Sequence, residues 1–104
     1  MVLIVDVNGS QSDGPVDRIL SLDPLAAKFE SFRWHVQEVD GHSPRALREA
    51  LVGARADQAR PSAILARTAK GYLHPGRVLL DGAHGGVLTA EEFHRACDHL
   101  WSGA

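Results

Sequence analysis

Residues Val2-Leu3-Ile4-Val5 form an unbroken apolar run that continues through Asp6-Val7 into Asn8-Gly9-Ser10-Gln11-Ser12-Asp13-Gly14. Successive side chains of a strand point to opposite faces, so this run predicts a strand buried on both faces, as in a parallel sheet covered by helices. In open α/β sheets, ligands bind just past the carboxyl ends of such strands. Here that place holds an amide side chain, small residues and backbone carbonyls, which are hard oxygen ligands suited to magnesium. The chain enters this strand almost at once, so half of any such site is expected to come from elsewhere.

The remaining pattern alternates. Residues 8–16 read as a loop rich in Gly, Ser, Asp and Pro. A helix is expected from Asp23-Pro24, with Asp23 as cap and Pro24 at the first helical position; Leu25, Ala26, Phe29 and Phe32 recur at helical spacing. Residues 34–39 alternate as a half-buried strand, and Asp40-Gly41-His42 turns the chain. Ser43-Pro44 opens a second helix carrying Ala46, Leu47, Ala50, Leu51 and Ala54. Pro61 leads into another apolar strand over 62–66. Residues 68–88 form a long glycine-rich loop, a length that usually signals function or disorder. Thr89-Ala90-Glu91-Glu92 is a capping box for a last helix reaching about Trp101.

Strand–helix alternation predicts an α/β fold with a parallel sheet and right-handed crossovers. Three strands make a poor free-standing sheet, and the first strand needs neighbours on both edges. The expectation is a partial domain over residues 1–104, belonging to a larger domain or an obligate oligomer.

Bulk properties set limits. The 104 residues amount to one small domain, and 11 basic against 13 acidic residues exclude a basic nucleic-acid footprint. The single cysteine, Cys97, excludes an internal disulfide and fits a reducing compartment. The first apolar run has no basic flank and is too short for a signal peptide or a membrane span. The expected location is cytoplasmic, with no membrane partner.

Among single residues, Asn8 is the strongest candidate: its side-chain oxygen is a neutral hard ligand at a strand end. Asn8-Gly9 also reads as a simple turn, since both residues tolerate positive φ. Asp6 shares the face of Asn8 by strand period. It could supply a carboxylate ligand, though a capping or salt-bridged role is commoner. His94 and His99 lie five apart and not on one helical face, so they make no metal pair. His42, in a turn at a strand end, reads as structural. Phe29, Phe32, Trp34, Phe93 and Trp101 read as core or interface aromatics, and Cys97 as a buried small hydrophobe. No Ser-His-Asp grouping, phosphate-binding glycine motif or zinc spacing is present.

Four segments in order carry a resemblance. Val5-Asp6-Val7-Asn8 with Gln11-Ser12-Asp13-Gly14, then Phe32-Arg33-Trp34-His35-Val36 with Glu38-Val39-Asp40-Gly41-His42-Ser43, then Pro61-Ser62-Ala63-Ile64-Leu65-Ala66-Arg67-Thr68-Ala69-Lys70-Gly71, and His84-Gly85 ahead of Glu91-Glu92-Phe93 together resemble the carboxyl-terminal part of the thiamine-diphosphate-binding domain of transketolase. The resemblance implies thiamine diphosphate and Mg2+ as cofactors and transfer of a two-carbon ketol unit between sugar phosphates. It implies magnesium held by Asn8 and the Ser10 carbonyl, and Gln11, Lys70 and His84 facing the cofactor. For His84 it implies a catalytic contact near the reacting carbon, where an imidazole can shuttle protons. Lys70 offers a flexible point charge to a diphosphate; its plain alternative is a solvated loop lysine.

The pattern also departs from that family. The Gly-Asp-Gly element, whose aspartate is a magnesium ligand, would fall before Met1, and the pyrimidine-binding domain with its cofactor-activating glutamate has no counterpart here. Gly9-Ser10 replaces a bulkier pair, and residues 72–83 lack the family's usual wording. A partner chain supplying the Gly-Asp-Gly segment and the pyrimidine-binding domain is therefore implied, and the chain alone is expected to be inactive. Two alternatives stay open: another thiamine-diphosphate enzyme, of deoxyxylulose-phosphate synthase or 2-oxo-acid dehydrogenase type, or a non-catalytic remnant that associates with a homologue.

Overall fold

A computed structural model describes residues 1–73, 77–78 and 87–102. In chain order the elements are β1 (Val2–Val7), β2 (Ser10–Gln11), β3 (Gly14–Pro15), α1 (Val16–Ile19), α2 (Leu25–Ser31), β4 (His35–Asp40), α3 (Pro44–Ala56), β5 (Ser62–Arg67), β6 (Tyr72–Leu73), β7 (Arg77–Val78) and α4 (Ala90–Ser102). β1, β5 and β4 form a parallel sheet in that order, so the chain has the α/β architecture its alternation predicts. Val7, Arg67 and Asp40 end their strands side by side. Every loop leaving a strand thus emerges along one edge.

β5 is central because its residues are small and apolar. Ser62, Ala63, Ile64, Leu65 and Ala66 are all buried, at 0 to 5% exposure. Ile64 packs against Ala50 and Ala54 of α3, with Val39 alongside. Alanine at both helical positions lets α3 sit close to the sheet. Two side chains stitch that contact: Gln37 Nε2 donates to the Ala50 carbonyl at 3.0 Å, and Ser62 Oγ to that of Ala54 at 3.5 Å. α3 starts where its sequence dictates. Ser43 Oγ caps the Ala46 N–H at 3.2 Å, and Pro44 occupies the first turn. α4 opens on the expected capping box: Glu92 Oε2 accepts from Thr89 N at 2.8 Å and Thr89 Oγ1 from Glu92 N at 3.3 Å.

Several expectations fail for physical reasons. β1 is not buried on both faces; Val2, Leu3 and Ile4 are 39%, 39% and 52% exposed. Among the described residues it is an edge strand whose one neighbour is β5. The Met1 and Val7 carbonyls accept from Ser62 N (3.0 Å) and Thr68 N (3.2 Å). Strand backbone groups alternate between the two edges, so those of Val2, Ile4 and Asp6 face outward. α2 begins at Leu25 because Pro24 has ψ 106°, outside the helical range; Pro24 is the cap, and Asp23 makes no cap bond. Phe32, expected on the apolar face, is the C-cap and 78% exposed. Trp34 does pack, edge-on against Phe29 with ring centroids 5.4 Å apart. Cys97 is half-buried. The 8–16 loop is shaped by the β2–β3 hairpin, pairing Ser10 with Pro15 and Gln11 with Gly14, and β6 pairs with β7 inside the later loop. Among the described residues no helix is long and apolar enough to cross a membrane.

Candidate functional site

The parallel register lays the exit of β1 beside the exit of β5, pairing Asp6 with Ala66 and Val7 with Arg67. Thr68 donates its N–H to the Val7 carbonyl and its hydroxyl to Asp6 Oδ1. Asp6 Oδ2 accepts from Asn8 Nδ2 at 2.8 Å, and Asn8 Oδ1 accepts from the Ser10 N–H at 2.9 Å. This chemistry fixes the amide orientation, since a carboxylate cannot donate and a backbone N–H cannot accept. Among the described residues Asp6 makes no salt bridge and caps no helix. It holds Asn8 and Thr68 in place.

Asn8-Gly9 is also a turn, with Gly9 at φ 72°; the Gly9 carbonyl accepts from Val16 N at 3.0 Å. The turn and ligand readings of Asn8 are compatible, because the turn is what aims the side chain. Asn8, Ser10, Gln11 and Lys70 line one open cleft of about 560 Å³, together with Asp6 and Thr68. Four of the five site residues expected from sequence therefore meet at the carboxyl end of the sheet. The fifth, His84, lies outside the described residues.

An adjoining cleft of about 710 Å³ shares Asp6, Asn8 and Thr68 and is walled by Val5, Val7, Val16, Leu20, Leu22 and Leu25, with Asp17, Asp23 and Arg67 at its lining as well. The polar cleft thus opens onto an apolar annex that sequence periodicity did not signal, because α1 is only four residues long.

The donor set suits a hard cation in part. Asn8 Oδ1 keeps a second lone pair beyond the Ser10 N–H, and Ser10 brings a backbone carbonyl on the same turn. Among the described residues no three His, Cys, Asp or Glu side chains cluster as a metal site. Octahedral magnesium on these atoms needs further oxygens.

His42, read from sequence as structural, reaches the site. Its Nε2 accepts from the Ala69 N–H at 2.7 Å, and its ring stacks on Tyr72 with centroids 3.5 Å apart and planes 16° off parallel. The Gly41 N–H donates to the Arg67 carbonyl at 2.7 Å. A Cβ on Gly41 would meet that carbonyl oxygen at 2.9 Å, so glycine permits the close approach.

The family described as "Transketolase, thiamine diphosphate binding domain" matches residues 1–101. Transketolase 2 of Escherichia coli (strain K12) is 39% identical over 88 residues, 84% of this chain and 13% of its own length. The 6-deoxy-6-sulfo-D-fructose transketolase subunit SqwG of Clostridium sp. (strain MSTE9) is 39% identical over 103 residues, 96% of this chain and 36% of that subunit. Transketolase 1 of Pasteurella multocida (strain Pm70) is 33% identical across the chain, which spans 16% of it. The chain thus covers a minor part of each relative.

Proposed function

We propose that this chain, which belongs to the family of transketolase thiamine-diphosphate-binding domains, is a part or subunit of a transketolase-like transferase that moves a two-carbon ketol unit between sugar phosphates with thiamine diphosphate and magnesium. The observation that carries the reading is the cleft at the carboxyl ends of β1 and β5, where Asn8, Ser10, Gln11 and Lys70 meet. Asn8 Oδ1 and the Ser10 carbonyl would hold magnesium. Gln11 would present its amide to the cofactor, Lys70 would place its ammonium toward the diphosphate, and His84 would move protons near the reacting carbon. The annex, with its apolar walls, suits the ring end of a cofactor whose other end is an anionic diphosphate. Bound thiamine diphosphate supplies the nucleophile and electron sink; the protein's share is anchoring and orientation.

Residues 1–104 are, in this reading, part of one domain. Polypeptide beyond them supplies the Gly-Asp-Gly segment and the pyrimidine-binding domain. The outward-facing edge of β1 and the minor share of each relative that the chain covers support this. The test is calorimetric titration of thiamine diphosphate with magnesium into the chain, alone and mixed with a polypeptide bearing those two parts, followed by a ketol-transfer assay. Magnesium-dependent binding and activity in the mixture are expected, with no activity for the chain alone. Turnover by the isolated chain, or no binding in the mixture, would overturn the proposal.

A further inference from the structure

We propose that His42 is a positioning residue for the Lys70 arm of the cleft, holding by its imidazole the segment on which that lysine stands; the proposal rests on the cofactor reading above. Lys70 lies three residues past the end of β5. Two contacts from the β4–α3 turn hold the segment that leads to it: the Gly41 N–H on the Arg67 carbonyl, and the Ala69 N–H on His42 Nε2. An imidazole nitrogen accepts a hydrogen bond only when it carries no proton, so the tautomer is Nδ1–H. The ring is held from one face by Tyr72, which stacks on it, while the backbone N–H of His42 is tied to Asp40 Oδ1 at 2.9 Å and fixes the turn that carries the side chain. The ring therefore spans the segment from Ala69 to Tyr72, with Lys70 between its two points of attachment. A histidine that only filled space would stack on Tyr72 and need no acceptor aimed at Ala69.

The two functions of the ring separate by mutation. His42→Gln puts a side-chain carbonyl near the Nε2 position and gives up the stack. His42→Phe keeps the stack and loses the acceptor. Hydrogen exchange at the Ala69 amide is expected to quicken about tenfold or more in His42→Phe, the factor that corresponds to about 1.4 kcal/mol, and to stay near wild type in His42→Gln. With magnesium and inorganic pyrophosphate as the probe, and the chain mixed with the polypeptide that bears the Gly-Asp-Gly segment, the dissociation constant is expected to rise about tenfold in His42→Phe and to recover in His42→Gln. A through-bond nitrogen–nitrogen coupling between His42 Nε2 and Ala69 N, read in the wild-type chain, tests the bond without any variant. Absence of that coupling, or equal exchange in the two variants, overturns the proposal. If the exchange pattern holds while the wild-type chain, mixed with the polypeptide that bears the Gly-Asp-Gly segment, takes up no pyrophosphate, the strap stands and the cofactor reading falls.

Discussion

Glycine-to-alanine substitution at two positions is expected to give effects of opposite sign. At Gly41 the added Cβ would lie 2.9 Å from the Arg67 carbonyl oxygen and 3.2 Å from the Ala66 Cβ, with the Thr68 methyl group nearer still. The first is a backbone carbonyl of β5 and the second the Cβ of buried Ala66, and neither can swing away. Overpacking of this kind costs about 1–3 kcal/mol. Stretching the Gly41–Arg67 hydrogen bond adds about 1 kcal/mol, and the stiffer unfolded chain returns about 0.4–1 kcal/mol. The net loss is about 1–4 kcal/mol. At Gly53, inside α3, the Cβ would meet Gln37 Oε1 at 3.1 Å, the far end of a flexible side chain. Alanine in a helix interior gains about 0.5–1 kcal/mol over glycine, so Gly53→Ala is expected to be neutral or stabilising. Urea unfolding followed by Trp34 fluorescence reads both. With a slope of about 1.5 kcal/mol per molar urea, a 2 kcal/mol loss lowers the midpoint by about 1.3 M. A Gly41→Ala midpoint equal to wild type would refute the reasoning, as would a Gly53→Ala loss of the same size.

Other perturbations address the site and the scaffold. Asn8→Ala is expected to weaken magnesium-dependent thiamine diphosphate binding in the completed assembly by about tenfold, or about 1.4 kcal/mol by calorimetry, while leaving the unfolding midpoint nearly unchanged. Lys70→Ala should weaken the same binding and flatten its dependence on ionic strength, because an exposed charge contact is screened by salt; an unaltered salt slope would argue against the diphosphate contact. Ile64→Ala removes the centre of the core, and a loss of about 2–5 kcal/mol is expected in urea. The Arg60 guanidinium donates to Asp57 Oδ2 and, with the backbone N–H groups of Ala59 and Arg60, holds that carboxyl below its ordinary 3.8. A depressed folded value stabilises above the unfolded one, so the stability gap between wild type and Asp57→Asn should be full above about pH 4 and close as pH falls through the folded value. A gap that widens on acidification would contradict this.

Much of the scaffold was legible because it is written locally. The apolar runs of β1 and β5, the alternation of β4, and the Ser43 and Thr89 caps each state their element within a few residues. The β2–β3 hairpin was not legible, since two-residue strands have no period to detect. Nor was the exposure of β1, which depends on what pairs with its outer edge. At the site, the family resemblance named Asn8, Ser10, Gln11 and Lys70 as candidates, and the structure brings these four to one cleft. The bonds that orient them were beyond reach. Asp6 meets Thr68 across 62 positions and His42 meets Ala69 across 27, distances over which no residue announces its partner.

The outer flank of β1 bears on how the protein must be handled. Val2, Ile4 and Asp6 turn their amides and carbonyls away from β5, on a strand whose apolar side chains are partly bare. Such a flank carries no lysine or proline to discourage docking, and among the described residues no strand pairs with it. In the proposed assembly, co-expression with the polypeptide that bears the Gly-Asp-Gly segment is expected to limit clumping through these groups, and purification apart with late mixing to favour it.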